Sequence, residues 1–299
     1  MSNKSNNQDN SKTQNDSKTQ NDSTTQNDST IPANPKVKNN QLNDGIEADY
    51  AIVLKDVNKS FGDKQILKSL DLKAKKGETF AVIGPSGCGK SVTLKLIMGL
   101  LQADSGGIYL WDKDVSKFNE KEMAPFRRRM GMVFQGGALF DSLTVFENVS
   151  FALTMHNLCN EEEKFEKVRH GLSVVGLPGI EDKMPSELSG GMRKRVSLAR
   201  AIVMEPEILL WDEPTTGLDP IMTAEIDRLI KEMQSQLNCT SIVVTHDLKS
   251  AYNVADKIGV HWEGNLVQVG TAREIQNSDD PFVHQFIKGN LKGPMKTRG

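Results

Sequence analysis

Two glycine-rich stretches of this 299-residue chain carry residue types that bind phosphate. The first, Gly84-Pro-Ser-Gly-Cys-Gly-Lys-Ser91, matches the pattern G-x-x-x-x-G-K-[ST], with an apolar run at 79–83 before it and a helical pattern over 92–101 after it. Its glycines let backbone N–H groups turn toward phosphate oxygens, Lys90 supplies a positive charge, and Ser91 supplies a hydroxyl for Mg²⁺. We therefore expect a nucleoside triphosphate to be bound by Gly84, Pro85, Ser86, Gly87, Cys88, Gly89, Lys90, Ser91 and Val92.

The second stretch, Leu188-Ser189-Gly190-Gly191-Met192, precedes a helical pattern over 190–204. Ser189 can cap that helix, and Gly190 and Gly191 leave backbone N–H groups open to an anion. Because it lies far along the chain from the first motif, it predicts a second phosphate-binding surface. For most of the basic residues of this helix we expect a solvated face: Arg193, Lys194, Arg195 and Arg200.

A pair of adjacent acids ends a later apolar run, Ile208-Leu-Leu-Trp-Asp212-Glu213. A buried strand would deliver both carboxylates to its carboxyl end, where open α/β sheets place their ligands. Asp212 would there hold Mg²⁺, directly or through water, and Glu213 would orient and deprotonate an attacking water molecule. An acid pair at a helix N-terminus is the competing interpretation.

The elements that must position these residues are short apolar strands separated by helical patterns. This alternation predicts an α/β fold with a parallel sheet covered by helices, and residues 142–187 look mostly helical. A hairpin turn is expected at Glu263-Gly264-Asn265. The predicted strands are 52–57, 66–72, 79–83, 131–134, 208–211, 241–245, 258–262 and 266–269.

The order of the motifs resembles that of the ABC ATPases. In chain order they are the phosphate loop, Gln135 after a strand, the 188–192 signature, Asp212-Glu213, Gly217-Leu-Asp219 and His246. The resemblance implies a P-loop NTPase of the ABC nucleotide-binding type spanning 48–290, with a RecA-like core, a small antiparallel β subdomain and a helical subdomain at about 136–190.

The resemblance also implies roles for single residues. Phe61 would stack on adenine, the alternative being an ordinary core phenylalanine. Gln135 would reach Mg²⁺ and the attacking water, the alternative being a surface amide. His246 would contact the γ-phosphate and support Glu213, and Asp219 would link two sites across a dimer.

One phosphate loop and one signature in the chain imply that the active form is a pair. In the family the signature closes on ATP held by the other protomer, so we expect an ATP-sandwich homodimer. Val92 and Met192 stand where many members carry Thr and Gln. Neither departure touches the residues assigned to Mg²⁺ or to the attacking water, so active hydrolysis is expected.

The composition limits the cellular location and the binding partners that we expect. The net charge of -2 gives no general attraction to nucleic acid, and no apolar run approaches the roughly 20 residues of a membrane helix. There is no apolar core of a signal peptide, and Cys88, Cys159 and Cys239 have neither disulfide nor metal spacing, which fits a cytosolic protein. Residues 1–47, with three Thr-Gln-Asn-Asp copies, predict a disordered low-complexity tail, and 291–299 a C-terminal tail.

Further stretches resemble the ATPases of Mla/MCE-type lipid-transport systems. They are Gly89-Lys-Ser-Val92, Phe134 to Asp141, Val145 to Val149, and Asp280 to Gly289 with Gly293-Pro294. This resemblance implies an MlaE-type membrane permease and a lipid-binding MCE-domain subunit as partners. It also implies a location on the cytoplasmic face of an inner membrane, and lipid, in particular phospholipid, as the cargo.

Three surface groups carry weaker expectations. The resemblance places a groove for the permease after Gln135, with subdomain core as the alternative for at least half of its apolar candidates: Ala138, Leu139, Phe140 and Phe146. An apolar trio would grip the second protomer or pack on its own domain: Phe282, Phe286 and Ile287. Arg127-Arg128-Arg129 would meet lipid headgroups or form a solvated helix face, and the solvated face is favoured.

Three other functions remain open at this point. An importer ATPase for amino acids or another small polar solute would share every catalytic motif. A soluble ABC ATPase acting on DNA or ribosomes usually carries two ATPase domains, long coiled-coil insertions or a basic surface, none of which is visible here. A small-molecule kinase would leave the signature and His246 unexplained.

Overall fold

The computed structural model describes residues 49–295. The predicted disordered tail at 1–47 and the end of the C-terminal tail, 296–299, lie outside the described residues. Between residues 49 and 295, no helix has both the length and the apolar character needed to cross a membrane.

Ten strands form two sheets in the described part of the chain. The strands are β1 (Tyr50–Phe61), β2 (Lys64–Lys75), β3 (Thr79–Ile83), β4 (Ser105–Leu110), β5 (Lys113–Asp114), β6 (Met130–Val133), β7 (Ile208–Asp212), β8 (Thr240–Thr245), β9 (Lys257–Trp262) and β10 (Asn265–Gly270). A four-stranded antiparallel sheet has the order β2-β1-β4-β5, and a six-stranded sheet has the order β10-β9-β3-β8-β7-β6. The larger sheet is parallel except for β10, which pairs antiparallel with β9.

Nine α-helices connect and cover the strands between residues 49 and 295. They are α1 (Lys90–Ile97), α2 (Glu120–Arg127), α3 (Val145–Met155), α4 (Glu161–Val174), α5 (Gly190–Ile202), α6 (Pro220–Leu237), α7 (Leu248–Val254), α8 (Ala272–Gln276) and α9 (Pro281–Lys288). Side-chain caps begin most of them, including capping boxes at Thr144 and Asn160 that fix the starts of α3 and α4.

The central strands are apolar on both faces because each face meets a different core. Along β3, Phe80 and Val82 enter one buried cluster, and Ala81 and Ile83 enter the other. Successive side chains of a strand point to opposite faces, so one short apolar run serves both layers. The phosphate loop therefore starts from a strand that is buried along its whole length.

The α/β architecture confirms the fold expected from the sequence, with three local differences. Strands β4 and β5 were not predicted, since β4 begins Ser105-Gly106-Gly107 and β5 has only two residues. The helix expected over 92–101 ends at Ile97, because Gly99 adopts a left-handed φ of 65° just beyond the cap. The helix expected over 190–204 ends at Ile202.

Candidate nucleotide site

The loop between β3 and α1 forms an open cradle that only small residues allow. Gly89 has φ 119°, and a Cβ built on it would lie 2.9 Å from Leu67 Cδ2. A Cβ on Gly84 would lie 2.4 Å from the carbonyl oxygen of His261. Glycine at these two positions lets the loop pack closely against β2 and β9, and a glycine-rich loop before a helix suits the phosphate oxygens of ATP.

Lys90 is buried at the base of this cradle. Its Nζ donates to the carbonyl oxygens of Gly84 and Pro85 at 2.8 and 3.0 Å, and it lies 3.7 Å from Glu213 Oε1. A buried ammonium group needs such partners, since an unpaired charge away from water is costly. The loop thus holds one positive charge beside the position where phosphate would lie.

Ser91 and Asp212 meet although they lie on different elements. Ser91 is the second residue of α1, Asp212 ends β7, and the Ser91 hydroxyl donates to Asp212 Oδ1 at 2.7 Å. A hydroxyl and a carboxylate are oxygen ligands of the kind that Mg²⁺ takes. These two residues are therefore the donor set that fits Mg²⁺ at this site.

Two side chains hold the Glu213 carboxylate, one from the loop after β7 and one from the loop after β8. Its Oε2 accepts a hydrogen bond from Thr216 Oγ1 at 3.0 Å and lies 2.7 Å from His246 Nδ1. Its φ of 51° is left-handed, which a side-chain-bearing residue rarely adopts, and its N–H donates to the carbonyl oxygen of Val244 at 2.8 Å. The carboxylate is 12% exposed, so it faces the cradle with little access to bulk water.

A cavity of about 400 Å³ opens onto these groups. It is lined by Phe61, Ile66, Ser86, Gly87, Gly89, Lys90, Ser91, Val92, Gln135, Glu213 and His246. Phe61 is 48% exposed at the end of β1, so the alternative of a core phenylalanine is wrong. Gln135 is exposed at the rim.

Two titratable side chains beside the phosphates' expected position have shifted pKa values: His261, which the sequence did not single out, and Cys88, one of the loop residues expected to bind nucleotide. His261 is fully buried at the end of β9, neither ring nitrogen has a hydrogen-bond partner, and burial together with the Lys90 charge lowers its pKa from 6.5 to about 4. Burial also raises the pKa of the Cys88 thiol. Both side chains are therefore neutral near pH 7.

The signature residues lie apart from this cavity. Ser189 and Gly190 are exposed at the start of α5, and Ser189 Oγ accepts from the Met192 N–H at 3.2 Å as the predicted cap. A Cβ on Gly190 would meet no atom within 4 Å, so the N-terminus of α5 faces open space. Asp219 caps α6, with Oδ1 accepting from Ile221 and Met222. None of these residues lines the cavity that contains Lys90.

Most of the basic residues of α5 do not lie on a solvated face, which corrects the expectation from the sequence; only Arg193 of these four is exposed. Lys194 is 7% exposed and donates to the carbonyl oxygens of Pro214 and Thr216. Arg200 donates to the carbonyl oxygens of Gly137 and Ala138 at 2.9 and 2.7 Å. The other two also reach backbone carbonyls, Arg193 that of Leu188 and Arg195 those of Val175 and Gly176. Sequence shows charge but not which carbonyls lie within reach.

The arginines at the end of α2 keep the favoured solvated face in part, since Arg128 is exposed and the Arg129 side chain is 42% exposed, whereas that of Arg127 is 22% exposed. Arg127 donates to the carbonyl oxygens of Met98 and Gly99. Arg129 makes a two-point ion pair with Glu207 at 2.6 Å and stacks on the Trp111 ring.

An apolar groove of about 560 Å³ lies beyond Gln135. Ala138 and Phe140 line it, and Phe140 stacks on Phe151 with ring centroids 4.7 Å apart. Leu139 and Phe146 instead pack against the core. Of the C-terminal trio, Phe286 and Ile287 pack on the core and Phe282 lies against Trp262, all within the same domain.

Comparison with known proteins agrees with this geometry. Residues 67–216 match the family model described as ABC transporter. The chain is 42% identical over 235 residues to "Intermembrane phospholipid transport system ATP-binding protein MlaF" of Haemophilus influenzae, covering 79% of this chain and 89% of that protein. It is 41% identical over 245 residues to "Probable ribonucleotide transport ATP-binding protein mkl" of Mycobacterium leprae, covering 82% and 71%.

A solved structure of an ATP-binding cassette is also similar to this chain. The dimeric post-hydrolysis state of the ATP-binding cassette MJ0796 bound to ADP and Pi has a TM-score of 0.69 and 31% sequence identity, covering 74% of this chain and 99% of that one. The phosphate cradle, the Ser91–Asp212 pair and the held Glu213 are what hydrolysis of a nucleoside triphosphate requires. The chain therefore belongs to the ABC transporter family, as an ATP-binding and ATP-hydrolysing subunit.

Proposed function

We propose that this chain powers the movement of lipid, in particular phospholipid, between envelope membranes by hydrolysing ATP as one half of a homodimer. The observation that carries the catalytic part is the Glu213 carboxylate, which faces the phosphate cradle while Thr216 and His246 hold one of its oxygens. Glu213 orients and deprotonates the attacking water. His246 supports Glu213 and contacts the γ-phosphate.

The remaining lining residues bind the nucleotide. The loop 84–89 offers backbone N–H groups, Lys90 neutralises phosphate charge, and Phe61 stacks on adenine. Ser91 and Asp212 would hold Mg²⁺, and Gln135, which also lines the cavity, would be a further ligand. Mg²⁺, when bound, neutralises charge that develops on the phosphate oxygens.

The second half of each site comes from another copy of the chain. The exposed Ser189 and the unobstructed Gly190, with Gly191, supply a phosphate-binding helix start that has no phosphate loop of its own chain facing it. Asp219, the exposed cap at the start of α6, would link the two sites across the dimer. This arrangement supports an ATP-sandwich dimer like the dimeric state of the MJ0796 cassette.

Glu213→Gln tests the dimer directly. Glutamine has nearly the same shape but cannot accept the proton of water, so ATP stays bound and the dimer accumulates on size exclusion. Lys90→Ala in the same background is the control, since it removes ATP binding and leaves a monomer. An ATP-loaded Glu213→Gln chain that remains monomeric, with the membrane partners present, would contradict the proposal.

Lipid as cargo rests on the Mla/MCE-like stretches and on the similarity to MlaF. It brings with it an MlaE-type permease, a lipid-binding MCE-domain subunit and a place on the cytoplasmic face of the inner membrane. The groove beside Phe140 and Phe151 supplies an apolar surface for the permease. Nucleic acid is not a partner in this proposal.

The groove has a matched test. Phe140→Glu places a charge in the groove and should abolish complex formation while the isolated chain keeps its ATPase rate. Phe165→Glu changes an equally exposed phenylalanine of α4 that does not line the groove, so its complex should persist. Equal assembly of the two variants would exclude this surface as the permease site.

A small polar solute is the alternative cargo, favoured by the similarity to the mkl protein, whose name specifies probable ribonucleotide transport. Native purification from membranes, followed by mass spectrometry of partners and bound lipids, separates the two. Co-purified phospholipid with an MCE-domain protein supports lipid transport. A solute-binding protein in place of the MCE-domain protein, without lipid, would support the alternative.

A further inference from the structure

Lys194 connects the signature helix to the loop that carries the catalytic glutamate. It lies in the second turn of α5, is 7% exposed, and donates to the carbonyl oxygens of Pro214 and Thr216 at 2.8 and 2.6 Å. We propose that Lys194 is a positioning residue for hydrolysis, which transmits the state of the signature surface to Glu213 of the same chain. This inference rests on the proposed function.

The first step is the path from Lys194 to the carboxylate. Thr216 receives the Lys194 hydrogen bond on its carbonyl and donates its own hydroxyl to Glu213 Oε2 at 3.0 Å. Pro214, the other acceptor, follows Glu213 directly in the chain. One ammonium group therefore holds the backbone on both sides of Thr215 and fixes the side chain that aims Glu213.

The second step is the path from Lys194 to the signature. Ser189 caps α5, and residues 190–202 form one unbroken helix. A helix rises about 1.5 Å per residue and moves as a unit over such a short distance. A shift of the helix start when it closes on phosphate would therefore carry Lys194, and with it the two carbonyls, in the same direction.

The contacts of Lys194 are unlike those of a lysine kept for stability. Its hydrogen bonds go to backbone carbonyls of a loop, with no carboxylate in direct contact, and burial lowers its pKa. Lys164 is a contrast within the chain: it is also 7% exposed, but it pairs with Glu161 on its own helix, α4, at 2.7 Å. A neutral side chain of equal length would avoid the cost of burying charge at position 194, so the geometry points to a requirement for donors.

The test uses the full chain and compares Lys194→Met with Lys164→Met. Misplacing a catalytic group by about 1 Å can cost on the order of a hundredfold in rate, so Lys194→Met should lower kcat for ATP by about 10- to 100-fold with KM little changed. Lys164→Met should keep the wild-type rate. Lys194→Gln, which retains an N–H donor on a shorter side chain, should give an intermediate kcat.

Two further measurements separate positioning from loss of structure. In the Glu213→Gln background, Lys194→Met should still form the ATP-bound dimer and should cause no further loss of residual hydrolysis, because both changes act through one group. Loss of the dimer, or an equal loss of rate in both backgrounds, would overturn the proposal. If Lys194→Met does not fold, Lys194→Gln takes its place in the same comparison.

Failure of this inference is distinguishable from failure of the proposed function. A wild-type chain that hydrolyses ATP while Lys194→Met keeps a rate within twofold of it would overturn the inference alone. A wild-type chain without hydrolysis, in the presence of its partners, would overturn the proposed function and the inference with it.

Discussion

Replacing His261 with leucine should make the free energy of unfolding depend less on pH below pH 7. The imidazole is fully buried behind the phosphate loop, has no hydrogen-bond partner, and lies near the Lys90 charge. Its pKa is lowered from 6.5 to about 4, so in the folded protein it stays neutral down to about pH 4. The unfolded chain binds a proton on this residue below about pH 6.5.

The magnitude follows from that difference in pKa. Below pH 6.5 the unfolded state binds a proton that the folded state refuses, so the free energy of unfolding falls as the pH falls. Each pH unit costs about 1.4 kcal/mol, so this one residue accounts for about 2 kcal/mol between pH 7 and pH 5 and for about 3 kcal/mol by pH 4. Above pH 6.5 His261 is neutral in both the folded and the unfolded chain, so the full free energy of unfolding is present there.

Urea unfolding at pH 7 and pH 5, without nucleotide, measures the effect. Carboxyl groups titrate alike in wild type and in His261→Leu, so the loss of unfolding free energy between the two pH values should be about 2 kcal/mol smaller in the variant. His170→Leu is the control, because His170 is exposed on α4. It should keep the wild-type slope.

If His261→Leu and wild type lose the same free energy between pH 7 and pH 5, then His261 is not held neutral, and a partner for its nitrogens must exist. Absolute stability at pH 7 is a separate observation. Leucine removes two unpartnered buried nitrogens, so we expect it to be unchanged or higher.

Three more outcomes follow from single contacts. Thr216→Val removes the hydroxyl that bonds Glu213 and should lower kcat by about tenfold with KM unchanged, as measured by steady-state ATPase assays with Thr216→Ser as the control. Burial raises the pKa of the Cys88 thiol, so its alkylation at pH 8, followed by mass spectrometry, should be slower than that of free cysteine and should accelerate at higher pH than free cysteine does. Gln285→Leu removes three hydrogen bonds to the segment 290–295, and limited trypsin digestion should cut that segment faster than in wild type.

The sequence predicted the elements whose signals are local. The apolar runs at 79–83 and 208–211 became the buried strands β3 and β7, since a strand packed on both faces has to be apolar at every position. The hairpin at 263–265 was predicted correctly, with Glu263 and Gly264 at left-handed φ values of 46° and 95°. Strand β4 was not predicted, because Gly106 and Gly107 near its start remove the pattern of β-forming residues.

The site shows the same division between local and distant signals. The residues that line the cavity follow strands or loops with recognisable patterns, so most of them could be named in advance. Two residues that support the site from outside this lining, Thr216 and His261, could not be named. The bond of Thr216 to Glu213 depends on a left-handed backbone at residue 213, and the burial of His261 depends on the loop of Gly84 closing over it.

The cations of α5 show why charge alone misled. Four basic residues on one helix resemble a solvated face in sequence, yet Lys194 and Arg200 hold the two loops that follow Glu213 and Gln135. A loop leaves backbone carbonyls without partners, and a long cationic side chain can satisfy two of them at once. Which helix lies beside which loop is decided by the order of the strands, a long-range property that spacing along the chain does not carry.

That arrangement also bears on how two identical sites in a dimer influence each other. Each protomer has one α5, and the same α5 presents Ser189 outward and Lys194 inward toward its own Glu213 loop. In the proposed dimer, phosphate bound by one protomer would rest against the α5 of the other and bias that second protomer's glutamate. Because Lys194 donates to the Glu213 loop of its own chain, loss of Lys194 in one protomer of a mixed dimer should impair the Glu213 on that same protomer, and the phosphate loop facing its signature should still bind ATP.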